Sequence, residues 1–304
     1  MSESIFISRL REELAKQDLM DSSRQRVEID CRGLEEWYVG TYGNGIDPDD
    51  VALTSMDLAE FRTWLLKTCQ AGTVQRKFGS IRAMLKLLAP AVLTSIRMPK
   101  LPQTQKPAPS GFTKKERMAI FRAAGKLSVR DRAIVYVAMW TGARASSIAH
   151  AKLSNVDIKA RSGSITYDVV KGGEGRSYSV PLNVEAREAL AAWMKVRPPV
   201  QHDYLFTSEK YPFEPITRWT LHDIWHRRLA RFVPDDLRSQ LKGIHQARHA
   251  LAKMLVSELG VPLPDCAAIL FHSSVATTAQ IYCRPSERDL RSHLDRAAGE
   301  DGEE

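Results

Sequence analysis

Six side chains have the types and spacing to act together: Arg144, Lys171, His245, Arg248, His272 and Tyr282. Arg144 follows Thr-Gly after the apolar run RDRAIVYVAMW. Lys171 precedes Gly172-Gly173, a hairpin-turn signature. His245 and Arg248, in HQARHALAKML, stand three apart and share one helix face. His272 follows the apolar run LPDCAAILF, and Tyr282 comes ten residues later. Two arginines, a lysine and two histidines offer cationic or neutral donors. No carboxylate pair adjoins them in sequence, and no metal-ligand pattern. Such a set suits a pentacoordinate, dianionic phosphorus, because guanidinium forks bind two non-bridging oxygens and fixed donors act where charge grows. Tyr282 can supply the nucleophile. A phenol has a pKa of about 10, so cationic neighbours must favour its phenolate.

Taken singly, each residue has a plainer reading. Arg144 fits a helix-end cap, Lys171 a solvated turn, and Tyr282 a half-buried aromatic. His249 reads as structural support beside Arg248. Trp219 and Trp225, near Arg227 and Arg228, read as core rather than as a surface patch.

The elements that must position these groups are mostly helices. RLREELAKQ, RGLEEWYVGTY, DLAEFRTWLLKTCQ and TVQRKFGSIRAMLKLLAPAVL carry apolar residues at three- and four-residue spacing. Thr54 to Asp57 supplies N-cap candidates, and TYGNGIDPDD a turn. The stretch MPKLPQTQKPAPSGFT, with four prolines and no acid, predicts a semi-extended linker. Beyond it, KKERMAIFRAAGKL and RDRAIVYVAMW predict helices, the second buried and stopping at Thr141-Gly142. LSNVDIKARSGSITYDVVKGGEGRSYSVPL alternates and carries Ser-Gly and Gly-Gly turns, which predicts an antiparallel sheet of about three strands. NVEAREALAAWMKV, ITRWTLHDIWHRRLARF, HQARHALAKMLVSELG, LPDCAAILFH, VATTAQIYC and SERDLRSHLDRAAG predict helices. The acidic EDGEE is expected to be disordered. The fold class is therefore mainly α with a small antiparallel β-sheet, in two domains. A helical domain spans 1–103, the linker 104–111, and an α+β domain 112–304 with a C-terminal helix and acidic tail.

Composition narrows the partners. The net charge is +8, unevenly spread. Residues 1–70 hold eight basic against fourteen acidic side chains, whereas residues 71–110 hold seven basic and no acidic ones. That window suits a polyanion, with Arg76, Lys77, Arg82, Lys86 and Lys100 as candidate DNA contacts. A solvated helix face followed by a basic linker would give the same charge balance. The four cysteines are scattered, so reduced thiols are expected. Cys266, His272 and Cys283 match no standard zinc spacing. No apolar run reaches the roughly 20 residues a membrane span needs. The N-terminus lacks a signal-peptide core, which makes the cytoplasm the expected compartment.

The order Arg144, Lys171, His245-x-x-Arg248, His272, Tyr282 resembles that of the tyrosine recombinases, the phage-integrase and Xer-like group. The matching stretches are TGARASSIAHAKLSNVDI, VVKGGEGRSYSVPL, HQARHALA and LFHSSVATTAQIY, across roughly 112–290. TVQRKFGSIRAMLKLL looks like the last helix of that family's core-binding domain. Any single motif is weak; five in order behind a basic helical domain are specific.

The resemblance implies a site-specific recombinase or integrase. Tyr282 would attack a DNA phosphodiester, forming a 3′-phosphotyrosyl link and freeing a 5′-hydroxyl. Arg144 and Arg248 would clamp the phosphate, and Lys171 would protonate the leaving oxygen. His245 would assist proton transfer, and His272 would hydrogen-bond the phosphate. Neither metal nor other cofactor is implied. The implied partners are double-stranded DNA, further copies in a dimer or tetramer with the helix near 290–297 as the contact, and a partner recombinase or a DNA-bending protein. The two domains would clamp the duplex. The sequence departs from the family at Ser147, where Glu or Asp is usual, at Phe271, where the family has Gly before His, and in a His272-to-Tyr282 spacing one residue longer than the commonest. A catalytically weak DNA-binding protein of the same fold, or a type IB topoisomerase-like enzyme, are the rival readings.

Overall fold

The computed structural model describes residues 4–102, 111–168, 176–210, 214–271 and 274–282. The chain divides into two compact units, Met1–Lys106 and Pro107–Glu304. Residues 104–110 of the predicted linker, the predicted helix SERDLRSHLDRAAG and the acidic tail lie outside the described residues.

Unit one packs five helices: α1 (Ile5–Ala15), α2 (Asp21–Tyr42), α3 (Ser55–Leu66), α4 (Ala71–Leu88) and α5 (Pro90–Ser95). Its core joins Phe6, Leu10, Leu34, Phe61, Phe78 and Ile81. Thr54 and Asp57 form a reciprocal cap on α3. The Asp57 N–H donates to Thr54 Oγ1 at 3.2 Å, and the Thr54 N–H donates to Asp57 Oδ2 at 2.7 Å. Two predicted boundaries move. α2 begins eleven residues earlier than RGLEEWYVGTY, because Val27, Cys31 and Leu34 continue one inward stripe through a polar segment. The predicted fourth helix breaks into α4 and α5 at Ala89–Pro90, since proline disfavours the α conformation in the residue before it and lacks the N–H that continues a helix.

Unit two begins with α6 (Lys114–Ala124), capped by Thr113 and Glu116, and the buried α7 (Val129–Thr141). The short α8 (Ala145–Ala149) leads into strands β1 (Val156–Ile158), β2 (Gly163–Asp168) and β3 (Ser177–Pro181). The sheet is antiparallel in the order β1-β2-β3, with Ile165 opposite Val180 and Tyr167 opposite Tyr178. Ile165, Tyr167, Tyr178 and Val180 all point inward, so one sheet face closes the core. There follow α9 (Val184–Val196), α10 (Arg218–Asp223), α11 (Asp235–Arg238), α12 (His245–Lys253), α13 (Leu263–Ile269) and α14 (Val275–Tyr282). A π-helical turn extends α10 over Ile224–Arg228, and another extends α12 over Met254–Glu258. α7 packs against α9 and α12, which brings the end of the buried helix beside the HQARHALA segment.

One aromatic expectation fails. Trp225 is wholly buried, but Trp219 is 80% exposed. Leu221, Ile224, Trp225 and Leu229 take the inward face, and Trp219 is left outward with His222. Arg228 is held in an ion-pair network with Asp131, Asp223 and Glu209.

Candidate functional site

Arg144 owes its place to the end of α7. Thr141 Oγ1 donates to Val137 O at 2.7 Å and accepts from the Ala143 N–H at 3.2 Å, which fixes the turn. Gly142 is left-handed, with φ +60. A Cβ there would stand 3.0 Å from Leu270 Cδ2 and 3.1 Å from Leu251 Cδ2, so glycine answers both to backbone angle and to close packing. The chain then turns extended at Arg144, the N-cap residue of α8, whose side chain is exposed.

Arg248 draws the parts together. It is only 6% exposed, on the inward side of α12. Nη1 donates to Gly142 O at 2.8 Å, and Nη2 donates to Leu270 O. One guanidinium thus grips the turn before Arg144 and the segment before His272. His245 opens α12, three residues earlier and exposed at the surface. Its pKa lies below the ordinary 6.5. Although one edge of the residue reaches solvent, the protein atoms packed around its ring are the first cause, followed by the positive charges of Arg248 and Arg144. Both arginines are therefore within electrostatic reach of one imidazole. His249, half-buried, is lowered likewise by burial, then by His245 and Arg248. Both shifts favour the neutral imidazole over the charged one.

Lys171 and His272 lie outside the described residues, as does the side chain of Tyr282; its backbone ends α14. The described geometry therefore brings together Arg144, His245 and Arg248 of the six. Cys266 is buried and donates from Sγ to Val261 O at 3.4 Å, whereas Cys283 is outside the described residues.

The basic window divides by chemistry. Arg82 and Lys86 are exposed on α4. Arg76 is ion-paired with the buried Asp30, and Lys77 Nζ stands 3.8 Å from the same carboxylate. Ser80 donates to Asp30 at 2.7 Å. Lys100 is exposed, and its carbonyl accepts from Arg62 at 2.8 Å.

The family model of the phage integrases matches residues 111–288. The chain belongs to the phage integrase family. It is similar to tyrosine recombinase XerA of Pyrococcus furiosus, 29% identical over 208 residues that span 66% of this chain and 65% of that protein. It is also similar to tyrosine recombinase XerC of Staphylococcus carnosus, 25% identical over 264 residues, 81% of this chain and 83% of that one. Its fold matches the XerH site-specific recombinase bound to palindromic difH substrate in a post-cleavage complex. The TM-score is 0.75 at 18% identity, covering 97% and 85% of the two chains. A lambda integrase dimer bound to a COC′ core site matches with a TM-score of 0.66 at 15% identity, over 90% and 95%. The mainly helical, two-unit architecture with its small sheet is the integrase fold. Among the described residues no helix is long and apolar enough to cross a membrane.

Ser147 and Phe271, the two departures noted in the sequence, are both in contact with one further residue, Tyr178. Ser147 is buried on α8, where its Oγ accepts from the Tyr178 hydroxyl at 3.3 Å. Phe271 is the one non-glycine among the described residues with positive φ, at +51. A left-handed non-glycine residue costs roughly 1–2 kcal/mol. The sequence gives no sign of this role for Tyr178, because an alternating Tyr in SYSVP reads as ordinary sheet core.

Proposed function

We propose that this chain is a site-specific DNA recombinase that breaks and rejoins strands through a 3′-phosphotyrosyl intermediate. The observation that carries this is the gathering of Arg144, His245 and Arg248, in a unit whose last described helix ends at Tyr282. The two arginines bind the non-bridging oxygens of the scissile phosphate. His245, beside these two cations, takes the phenol proton as Tyr282 Oη attacks phosphorus. The bond from phosphorus to the 5′-oxygen breaks, Lys171 gives that oxygen its proton, and His272 donates to the phosphate. The phosphodiester bond becomes a phosphotyrosyl bond, so a strand of a second duplex can reverse the step without ATP or metal. Arg82, Lys86 and Lys100 contact duplex phosphates, while Arg76 and Lys77 do so in competition with Asp30. Two or four copies act together on the recombining sites, in the cytoplasm.

The test is covalent capture. Nicked duplexes cut from the DNA around the chain's own gene are incubated with the protein, denatured and resolved by size. Wild type is expected to carry label into a protein–DNA adduct, and Tyr282→Phe is expected to bind the same DNA without one. An adduct with the Phe variant removes Tyr282 as nucleophile. Binding by wild type with no adduct on any duplex favours a non-catalytic DNA-binding role.

A further inference from the structure

We propose that Tyr178 is a positioning residue for the cleavage chemistry. Its ring holds Phe271 in the left-handed conformation from which the chain enters His272, and its hydroxyl ties the same strand to Ser147 on the helix that Arg144 opens. The inference rests on the recombinase reading of the site.

The geometry is specific. The Tyr178 and Phe271 rings lie nearly parallel, 9° apart, with centroids at 4.0 Å. Aromatic pairs more often sit about 4.5–7 Å apart and offset or edge-on. Tyr178 is 8% exposed on β3, directly opposite Tyr167 on β2. The Tyr167 hydroxyl in turn lies 3.4 Å from Thr141 Oγ1, the atom that fixes the turn before Arg144. A residue held at positive φ without being glycine needs its surroundings to over-determine it. Three contacts do so here. The Phe271 N–H donates to Ala268 O at 3.0 Å, Arg248 grips the Leu270 carbonyl, and the Tyr178 face covers the ring. Only the last acts on the Phe271 side chain. Tyr178 therefore links the sheet, α8 and the turn before His272.

The experiment compares wild type with Tyr178→Phe, Tyr178→Leu and the double variant Tyr178→Leu/Phe271→Gly, on a nicked duplex from the chain's own locus. Tyr178→Leu is expected to slow adduct formation at saturating protein about tenfold or more, since small misplacements near reacting groups are costly. DNA affinity by filter binding should stay within about threefold, the signature of a transition-state loss. Tyr178→Phe keeps the stack and should lose less than about threefold in rate. The double variant decides the mechanism. Glycine adopts positive φ without steric cost, so adding Phe271→Gly should recover part of the lost rate, although it removes still more packing. A role confined to core stability predicts a further fall.

Hydrogen exchange supplies a readout independent of activity. The Leu270 and Phe271 amides, bonded to Cys266 O and Ala268 O, should exchange faster in Tyr178→Leu. Unchanged exchange, or a double variant slower than Tyr178→Leu, overturns the inference. Should Tyr178→Leu not fold, Phe271→Leu removes the stack from the other side and carries the same expectations. A wild type that forms no adduct sinks the recombinase reading, and exchange then decides alone whether Tyr178 holds the turn.

Discussion

Replacing Arg248 by lysine keeps the positive charge and breaks the tether. The wild-type guanidinium is buried and donates to two carbonyls from segments far apart in the chain, Gly142 O and Leu270 O. A hydrogen bond to a charged group contributes about 1.5–3 kcal/mol. A lysine ammonium has no planar fork, so it can serve one carbonyl and leave the other buried and unpaired. The expected loss is one such bond, about 1.5–3 kcal/mol. For a unit of this size, 1 kcal/mol shifts Tm by about 2–4 °C, so unit two should melt roughly 3–12 °C lower. Arg144→Lys is the control. Arg144 is exposed at the N-cap of α8, and surface substitutions are usually within about 0.5 kcal/mol. Calorimetry of the two variants, followed by adduct formation, separates the roles. Both should lose cleavage, and only Arg248→Lys should lose stability. An Arg248→Lys protein melting with wild type would refute the claim that this side chain holds the site together.

Further outcomes are expected. By NMR titration, His245 and His249 should both ionise below pH 6.5 in the free protein. Removing the Arg144 charge in Arg144→Gln should raise the His245 midpoint, because a positive neighbour is one of the groups that lower it. Gly142→Ala meets positive φ and two leucine tips, and should cost unit two at least the roughly 1–2 kcal/mol of a left-handed alanine in a urea melt. Asp30→Asn releases Arg76 and Lys77 from their carboxylate, so DNA affinity measured by filter binding should fall more steeply with salt, by about 0.9 in log–log slope per phosphate gained. An unchanged slope would remove those two side chains from the interface.

Most of the described helices and the sheet are legible because their patterns are local, whereas α8 and α11, of five and four residues, are too short to show a period. The Thr54 and Asp57 cap, the buried α7 and its stop at Gly142 all follow from spacing and capping chemistry. The errors have local causes too. The polar start of α2 hides an inward stripe, and Trp219, which reads as core beside Trp225, is turned outward by its helix. The candidate residues could be picked out by type and order, but not what holds them. Arg76 meets Asp30 across 46 positions, and Arg248 meets the Gly142 carbonyl across 106. Neither partner has a signature, since one is an acid with another acid two positions away and the other is a backbone oxygen. The pairing of Phe271 with Tyr178 was likewise out of reach, because it joins a strand to a turn more than ninety positions away.

The anchoring of Arg248 on main-chain oxygens bears on how this scaffold can evolve. Every amino acid presents a carbonyl, so exchanging Leu270 for another residue of similar bulk leaves the grip intact. What the grip cannot absorb is a change of chain length. Deleting or inserting one residue between α12 and position 270 would carry the wrong oxygen to the guanidinium and rotate α13 out of phase. Homologous proteins built this way can drift in side chains at the joint while keeping its spacing fixed.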